Sequence, residues 1–189
     1  MDIGSKKTPN QNLRLCFIMN VMKVIKKQSN GHDCLVCGID NPSGLHASFY
    51  EMEDESLIAL FKYDSRFQSF PERTHGGMIA AVLDETIGRA IWIKEPELWA
   101  CTLKLEVEYH QAVPYDVPLK CVGRIDKENS LTFHGMAEIM SMDGKLLARG
   151  TALYMKLRFD QISPKTSKGM VIHPNDINVD IPDDVKEIY

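Results

Sequence analysis

The residues able to do chemistry gather in one stretch, 73–94, in which His75 precedes Gly76 and Gly77, and Asp84 and Glu85 follow. Most of the run is apolar, and its periodicity predicts a helix that starts at the Gly-Gly pair. The first turn of a helix exposes N–H groups that have no internal partner, and its dipole favours negative charge. Gly76 and Gly77 have no side chains, so a ligand can come close to those N–H groups. Such a start suits a developing oxyanion or a polarised carbonyl, unless the glycines only make a tight turn.

Ala80, Asp84 and Gly88 recur every four residues and share one small-sided helix face. Beside it runs an apolar stripe of Ile79, Leu83, Ile87 and Ala90, which should pack on a sheet. Asp84 therefore has room around it next to buried surface, as a nucleophile or general base requires. Glu85 points about 100° away, where an i,i+4 pair with Arg89 fits, so a solvated acidic face is the competing reading. His75 either shapes the entrance to the helix or contacts a substrate, and Thr102 is either a plain strand residue or a holder of water against the carboxylate. Gly76 and Asp84 are eight residues apart, about 12 Å along a helix axis. One carbonyl cannot reach both in the same copy. If both act together, two chains must meet with antiparallel helices, and a two-fold axis would give two equal sites.

The rest of the chain must position this helix. Residues 45–50 and 56–63 read as short strands before it; 101–113, 117–126, 131–142 and 146–159 read as strands after it. The later connections are too short for crossover helices, which predicts a four-strand antiparallel meander. Residues 1–12 read as a mobile end, and 13–27 as an amphipathic helix with Lys23, Lys26 and Lys27 in its last turns. The domain is expected over 32–159, after an extension over 1–31. A polar tail over 160–189 follows, whose apolar groups at 170–172, Ile177, Val179 and Ile181 could dock on a surface. In the loop 28–44, Cys34 and Cys37 have the spacing of a zinc knuckle or a redox dithiol. No second such pair and no thioredoxin-like βαβ unit accompanies them, so packed, reduced thiols and no metal are expected.

The chain has 189 residues, enough for one domain with a substantial core, and its net charge of −4 gives no general attraction to nucleic acid. Five cysteines, an odd number, fit a reducing cytoplasm better than a disulfide framework. No apolar run is long enough to span a membrane, and 13–25 lacks the small-residue cleavage site of a signal peptide.

His75-Gly76-Gly77 with Asp84 nine positions after the histidine resembles the PaaI-like (phenylacetate-type) acyl-CoA thioesterases. The upstream stretch from Cys34 to Leu45 is similar to a subgroup that includes thioesterase superfamily member 4, and the resemblance covers about 32–158. It implies an α+β hotdog fold, an antiparallel sheet wrapped around one long central helix. It also implies hydrolysis of an acyl-CoA without a cofactor, in a homodimer or a tetramer built from it. In family terms, Gly76 would offer its N–H to the thioester carbonyl, Asp84 of the partner subunit would be nucleophile or base, and Thr102 would assist, with His75 beside the carbonyl donor. Gly77, Gln68 and Glu85 are the expected substrate contacts. Ser69 stands where many members have an asparagine, six residues before the histidine. The CoA phosphates would need cations, for which Arg66, Arg73, Lys156 and Arg158 are candidates. A non-catalytic acyl-CoA binding protein is the alternative, and the His-Gly-Gly run argues against a hydratase.

Overall fold

The computed structural model describes residues 22–162 and 187–188. Its centre is α1 (Gly76–Arg89). His75 is extended at φ −64° and ψ 134° and caps the helix, its Nδ1 accepting the Gly77 N–H at 2.9 Å. Ile79, Leu83, Ile87 and Ala90 are all buried, as the stripe predicts, and so are Val82 and Thr86. The helical stretch was expected to reach residue 94. Instead α1 ends at Arg89 and a 3-10 turn, Ala90–Ile93, follows. Pro96 lies just beyond, and the residue before a proline is pushed out of helical backbone.

Around α1 wraps an antiparallel sheet of β1 (Met22–Lys27), β2 (Ser48–Met52), β3 (Leu57–Phe61), β4 (Leu98–Tyr109), β5 (Leu119–Glu128), β6 (Thr132–Ser141) and β7 (Leu146–Arg158). The strand order is β4-β7-β6-β5-β3-β2-β1. A short turn, α2 (Phe159–Ile162), follows β7, and the two-residue β8 (Glu187–Ile188) pairs with β1. Glycines let the helix sit close to the strands: a Cβ on Gly135 would meet Ile87 Cγ2 at 2.6 Å, and one on Gly123 would meet Thr86 Cγ2 at 2.9 Å.

Three expectations change. First, Met22–Lys27 is strand, not the end of a helix. β1 pairs with β2 through Val24↔Met52 and Lys27↔Tyr50, and Val24 joins an outer cluster with Tyr50, Met52 and Ile58. Pairing with the sheet overrides a short helical period when β-branched residues can pack against it. The sheet thus begins before residue 32. Second, β4 and β5 are not neighbours: β4 pairs with β7, and β5 with β3. Residues 110–118 carry the chain past β7 and β6, three strand spacings or roughly 15 Å, which an extended segment of that length spans easily. Third, the polar tail, read as lying outside the domain, returns to the sheet at its end, where Glu187 pairs in backbone register with Lys23 and Ile188 with Met22. The segments 1–21 and 163–186, with the apolar tail groups, lie outside the described residues.

Candidate functional site

The two ends of α1 open into different cavities. The first holds about 420 Å³ and is lined by Cys34, Asp84, Glu85, Trp92, Trp99 and Thr102, among others. The second, about 390 Å³, is lined by Ser69, Arg73, Gly76, Gly77, Tyr109 and Gln111, among others.

In the first cavity Asp84 Oδ1 accepts two hydrogen bonds, from Thr102 Oγ1 at 2.9 Å and from the Tyr154 hydroxyl at 2.8 Å. Thr102 therefore holds the carboxylate directly rather than through water. The Tyr154 hydroxyl also lies 2.8 Å from the Asp84 carbonyl oxygen, so side chain and backbone are gripped by one group. The Tyr154 ring stacks on Phe133 at 4.9 Å, which fixes the hydroxyl in place. Burial raises the Tyr154 pKa, and the Asp84 charge raises it further, so the phenol stays a donor. Trp92 and Trp99 meet edge to face at 5.2 Å and form an apolar wall.

Glu85 borders the same cavity and is partly exposed. The expected i,i+4 pair is present, with Arg89 Nε 2.7 Å from Glu85 Oε1. Arg89 is only 6% exposed. Its other donors reach the Ser29 carbonyl and Cys37 Sγ, each at 2.9 Å, and its guanidinium lies over the rings of Phe49 and Trp92. Burial disfavours the Arg89 charge, but Glu85 and Cys37 outweigh it and hold the pKa up. One helix cation thus ties α1 to the loop before β2.

The second cavity holds the helix start. Among the described residues, no hydrogen-bond acceptor meets the Gly76 N–H. Gly77 differs, because its N–H is already given to His75. The Tyr109 hydroxyl donates to the Gly76 carbonyl at 3.0 Å. Gln68 is brought beside this loop by its bridge to Thr74, and the Tyr115 hydroxyl donates to its Oε1 at 3.0 Å. So Gly76, Gly77, His75 and Gln68 share one end of the helix, while Asp84, Glu85 and Thr102 share the other.

Three of the four candidate cations are engaged. Lys156 is 7% exposed and pairs with Glu95 at 2.5 Å and Glu128 at 2.9 Å. Arg158 pairs with Asp160, and Arg66 with Asp64. Arg73 has no ion pair among the described residues and borders the Gly76 cavity.

Sequence reasoning missed Tyr154, Tyr109 and the depth of Arg89. Tyr154 is 70 residues from Asp84, though alternation along β7 (Ala148, Gly150, Ala152, Tyr154 all inward) could have placed it against the helix.

Comparison with known proteins agrees with this architecture. Residues 73–148 match the model of the thioesterase superfamily. The match covers the central helix and the strands that follow it, from β4 into β7. The chain's α+β architecture, one central helix wrapped by antiparallel sheet, is the hotdog fold. The acyl-coenzyme A thioesterase THEM4 of Rattus norvegicus is 27% identical over 117 residues, which is 61% of this chain and 50% of that protein. The chain thus spans about half the length of the curated relatives it matches. A crystal structure of a thioesterase superfamily protein superposes with a TM-score of 0.59 at 23% identity, covering 64% of this chain and 62% of the other. The E. coli PaaI protein from the phenylacetic acid degradation operon superposes with a TM-score of 0.54 at 13% identity, covering 60% of this chain and 80% of its own. Among the described residues no helix is long and apolar enough to cross a membrane.

Proposed function

We propose that this chain is a thioesterase superfamily member that hydrolyses an acyl-CoA thioester at sites shared by two copies of the chain. The observation that carries the reading is the segregation of its polar groups. A free Gly76 N–H lies in one cavity, and the carboxylate of Asp84, held by Thr102 and Tyr154, lies in another. About 12 Å of helix separates them, so neither end completes a site alone. β4 supplies a way to join them. It is a 12-residue edge strand with one side unpaired among the described residues, mostly exposed, carrying Thr102 at the Asp84 end and Tyr109 at the Gly76 end. Two such edges pairing antiparallel about Leu105–Glu106 would set the Asp84 end of one copy against the Gly76 end of the other.

In that arrangement the Gly76 N–H polarises the thioester carbonyl and takes up the oxyanion. Asp84 of the second copy either takes a proton from water, whose oxygen adds to the carbonyl carbon, or adds to that carbon itself before water hydrolyses the anhydride. The C–S bond breaks and the thiolate of CoA leaves. His75 sets the angle of the helix start, and the Gln68 amide faces the incoming carbonyl. Arg73, beside the Gly76 cavity, contacts a CoA phosphate. Glu85 acts by anchoring Arg89 rather than by touching substrate.

The test is a thiol-release screen over short, long and aromatic acyl-CoAs, with Asp84→Asn as control and light scattering for mass. Hydrolysis by the wild type and its loss by a factor of about 10³ or more in an equally folded dimeric variant supports the reading. Thermal protection by acyl-CoA with no thiol release from any substrate would instead identify a binding protein. Equal turnover by both forms would remove Asp84 from the chemistry.

A further inference from the structure

The Cys34–Cys37 loop forms part of the wall of the Asp84 cavity and takes no part in the reaction above. Its turn is closed by the Gly38 N–H donating to the Cys34 carbonyl at 2.9 Å. Gly38 is needed there, since a Cβ would meet that oxygen at 2.3 Å. The Cys34 sulfur accepts N–H groups from Val36 at 3.3 Å and Cys37 at 3.4 Å. Cys37 is 1% exposed, with the Gly31 N–H and the Arg89 guanidinium directed at its sulfur. Cys34 is only half-buried and borders the cavity. The two sulfurs and Glu85 Oε1 lie within 4.8 Å of one another. Hydrogen bonding from Cys37 is the largest influence lowering the Cys34 pKa, to about 7, whereas Cys37 is raised. Cys34 Sγ also lies 3.8 Å from Glu85 Oε1, whose charge opposes that lowering.

We propose that Cys34 and Cys37 form a thiol–disulfide exchange site that takes small disulfides through the Asp84 cavity. An accessible sulfur with backbone donors attacks, and a buried neighbour at the same turn resolves. The Cys34 thiolate attacks one sulfur of a disulfide RSSR, forming Cys34–S–S–R and releasing RS⁻. Cys37 then loses its proton and attacks the Cys34 sulfur, forming the Cys34–Cys37 disulfide and releasing the second RS⁻. The two cysteines are oxidised, and RSSR is reduced to two thiols. The two sulfurs already lie within 4.8 Å of each other across this turn, so joining them needs only a small movement. A divalent metal is the competing occupant of the same three donors. It is disfavoured because the Arg89 guanidinium already faces both Cys37 and Glu85, and a closed thiolate zinc site has four ligands.

The experiment treats the full chain with oxidised glutathione or, separately, with uncharged 2-hydroxyethyl disulfide, then traps free thiols and maps masses by peptide. The proposal expects an internal Cys34–Cys37 disulfide in the wild type, with two thiols released per chain. Cys37→Ser should stop at a mixed disulfide on Cys34, and Cys34→Ser should give neither product. Reaction with both disulfides marks a general exchange site; reaction with glutathione alone marks one that selects the charged partner. The proposal is overturned if Cys34 in folded Cys37→Ser reacts no faster than a short unfolded peptide containing the same cysteine. Stoichiometric zinc in the purified wild type, lost in either cysteine variant, would also overturn it.

Discussion

Removing one oxygen, in Tyr154→Phe, isolates how much the grip on Asp84 matters. The ring stays stacked on Phe133, so packing changes little. What disappears is the donor 2.8 Å from both the carbonyl and the carboxylate of Asp84. A hydrogen bond to a charged group is worth about 1.5–3 kcal/mol, and Thr102 still holds Oδ1 at 2.9 Å. If that energy positions the carboxylate for reaction, kcat should fall roughly 10- to 100-fold, at about 1.4 kcal/mol per factor of ten. KM should change little, because the Tyr154 hydroxyl is spent on Asp84. Stability should fall by only about 1 kcal/mol in urea titration. Steady-state thiol release with Tyr154→Phe, Thr102→Val and the double variant provides the assay. The two losses should be non-additive, since both groups act on the same oxygen. Unchanged kcat in the double variant, with the fold intact, would refute the view that Asp84 must be held.

Arg89→Met should cost about 3 kcal/mol in urea unfolding, since it strands Glu85 and removes the tie to Ser29 and Cys37; Glu85 keeps some exposure, which limits the loss. Gly38→Ala should destabilise by several kcal/mol or prevent folding, measured by thermal unfolding, because its methyl would overlap the Cys34 carbonyl. The Lys156 triad sets a pH window. The hydrogen bond from Lys156 holds Glu128 below its ordinary value of 4.5, so its contribution is present above that pH and is lost as pH falls through the lower folded value. Lys156 is opposed by burial, but Glu95 and Glu128 raise it above 10.5, so its contribution is present below that pH and is lost as pH rises through the higher folded value. The stability difference between wild type and Lys156→Met should therefore be widest between these limits and shrink outside them.

Much of the central helix was legible from its residues. The stripe Ile79, Leu83, Ile87 and Ala90 is buried, and the Glu85–Arg89 pair forms. Both follow from a 3.6-residue period, which is local and needs no knowledge of partners. The same period implied that Gly76 and Asp84 could not meet within one copy, and the two cavities agree with that. The helix expected over 13–27 gives way to strand over 22–27 because a short apolar period is ambiguous, and the choice lay with β2, which Val24 meets through Met52. The meander failed because connection length limits how far a chain can reach but does not say which edge it reaches.

What only the folded chain decided is which distant groups surround the carboxylate. Tyr154 reaches Asp84 because β7 lies beneath the helix; Thr102 does so because β4 takes the edge beside β7 rather than pairing with β5. For Glu85 the helix angle left two readings open, a pair with Arg89 or a solvated acidic face. The pair forms and Glu85 is partly covered because the loop 29–38 closes over Arg89 and brings Cys34 and Cys37 with it. Periodicity along the chain determined which helix face is apolar and where the carboxylates and the glycine pair stand on it. The sheet order, set by long-range pairing that no local pattern encodes, determined what each of them touches.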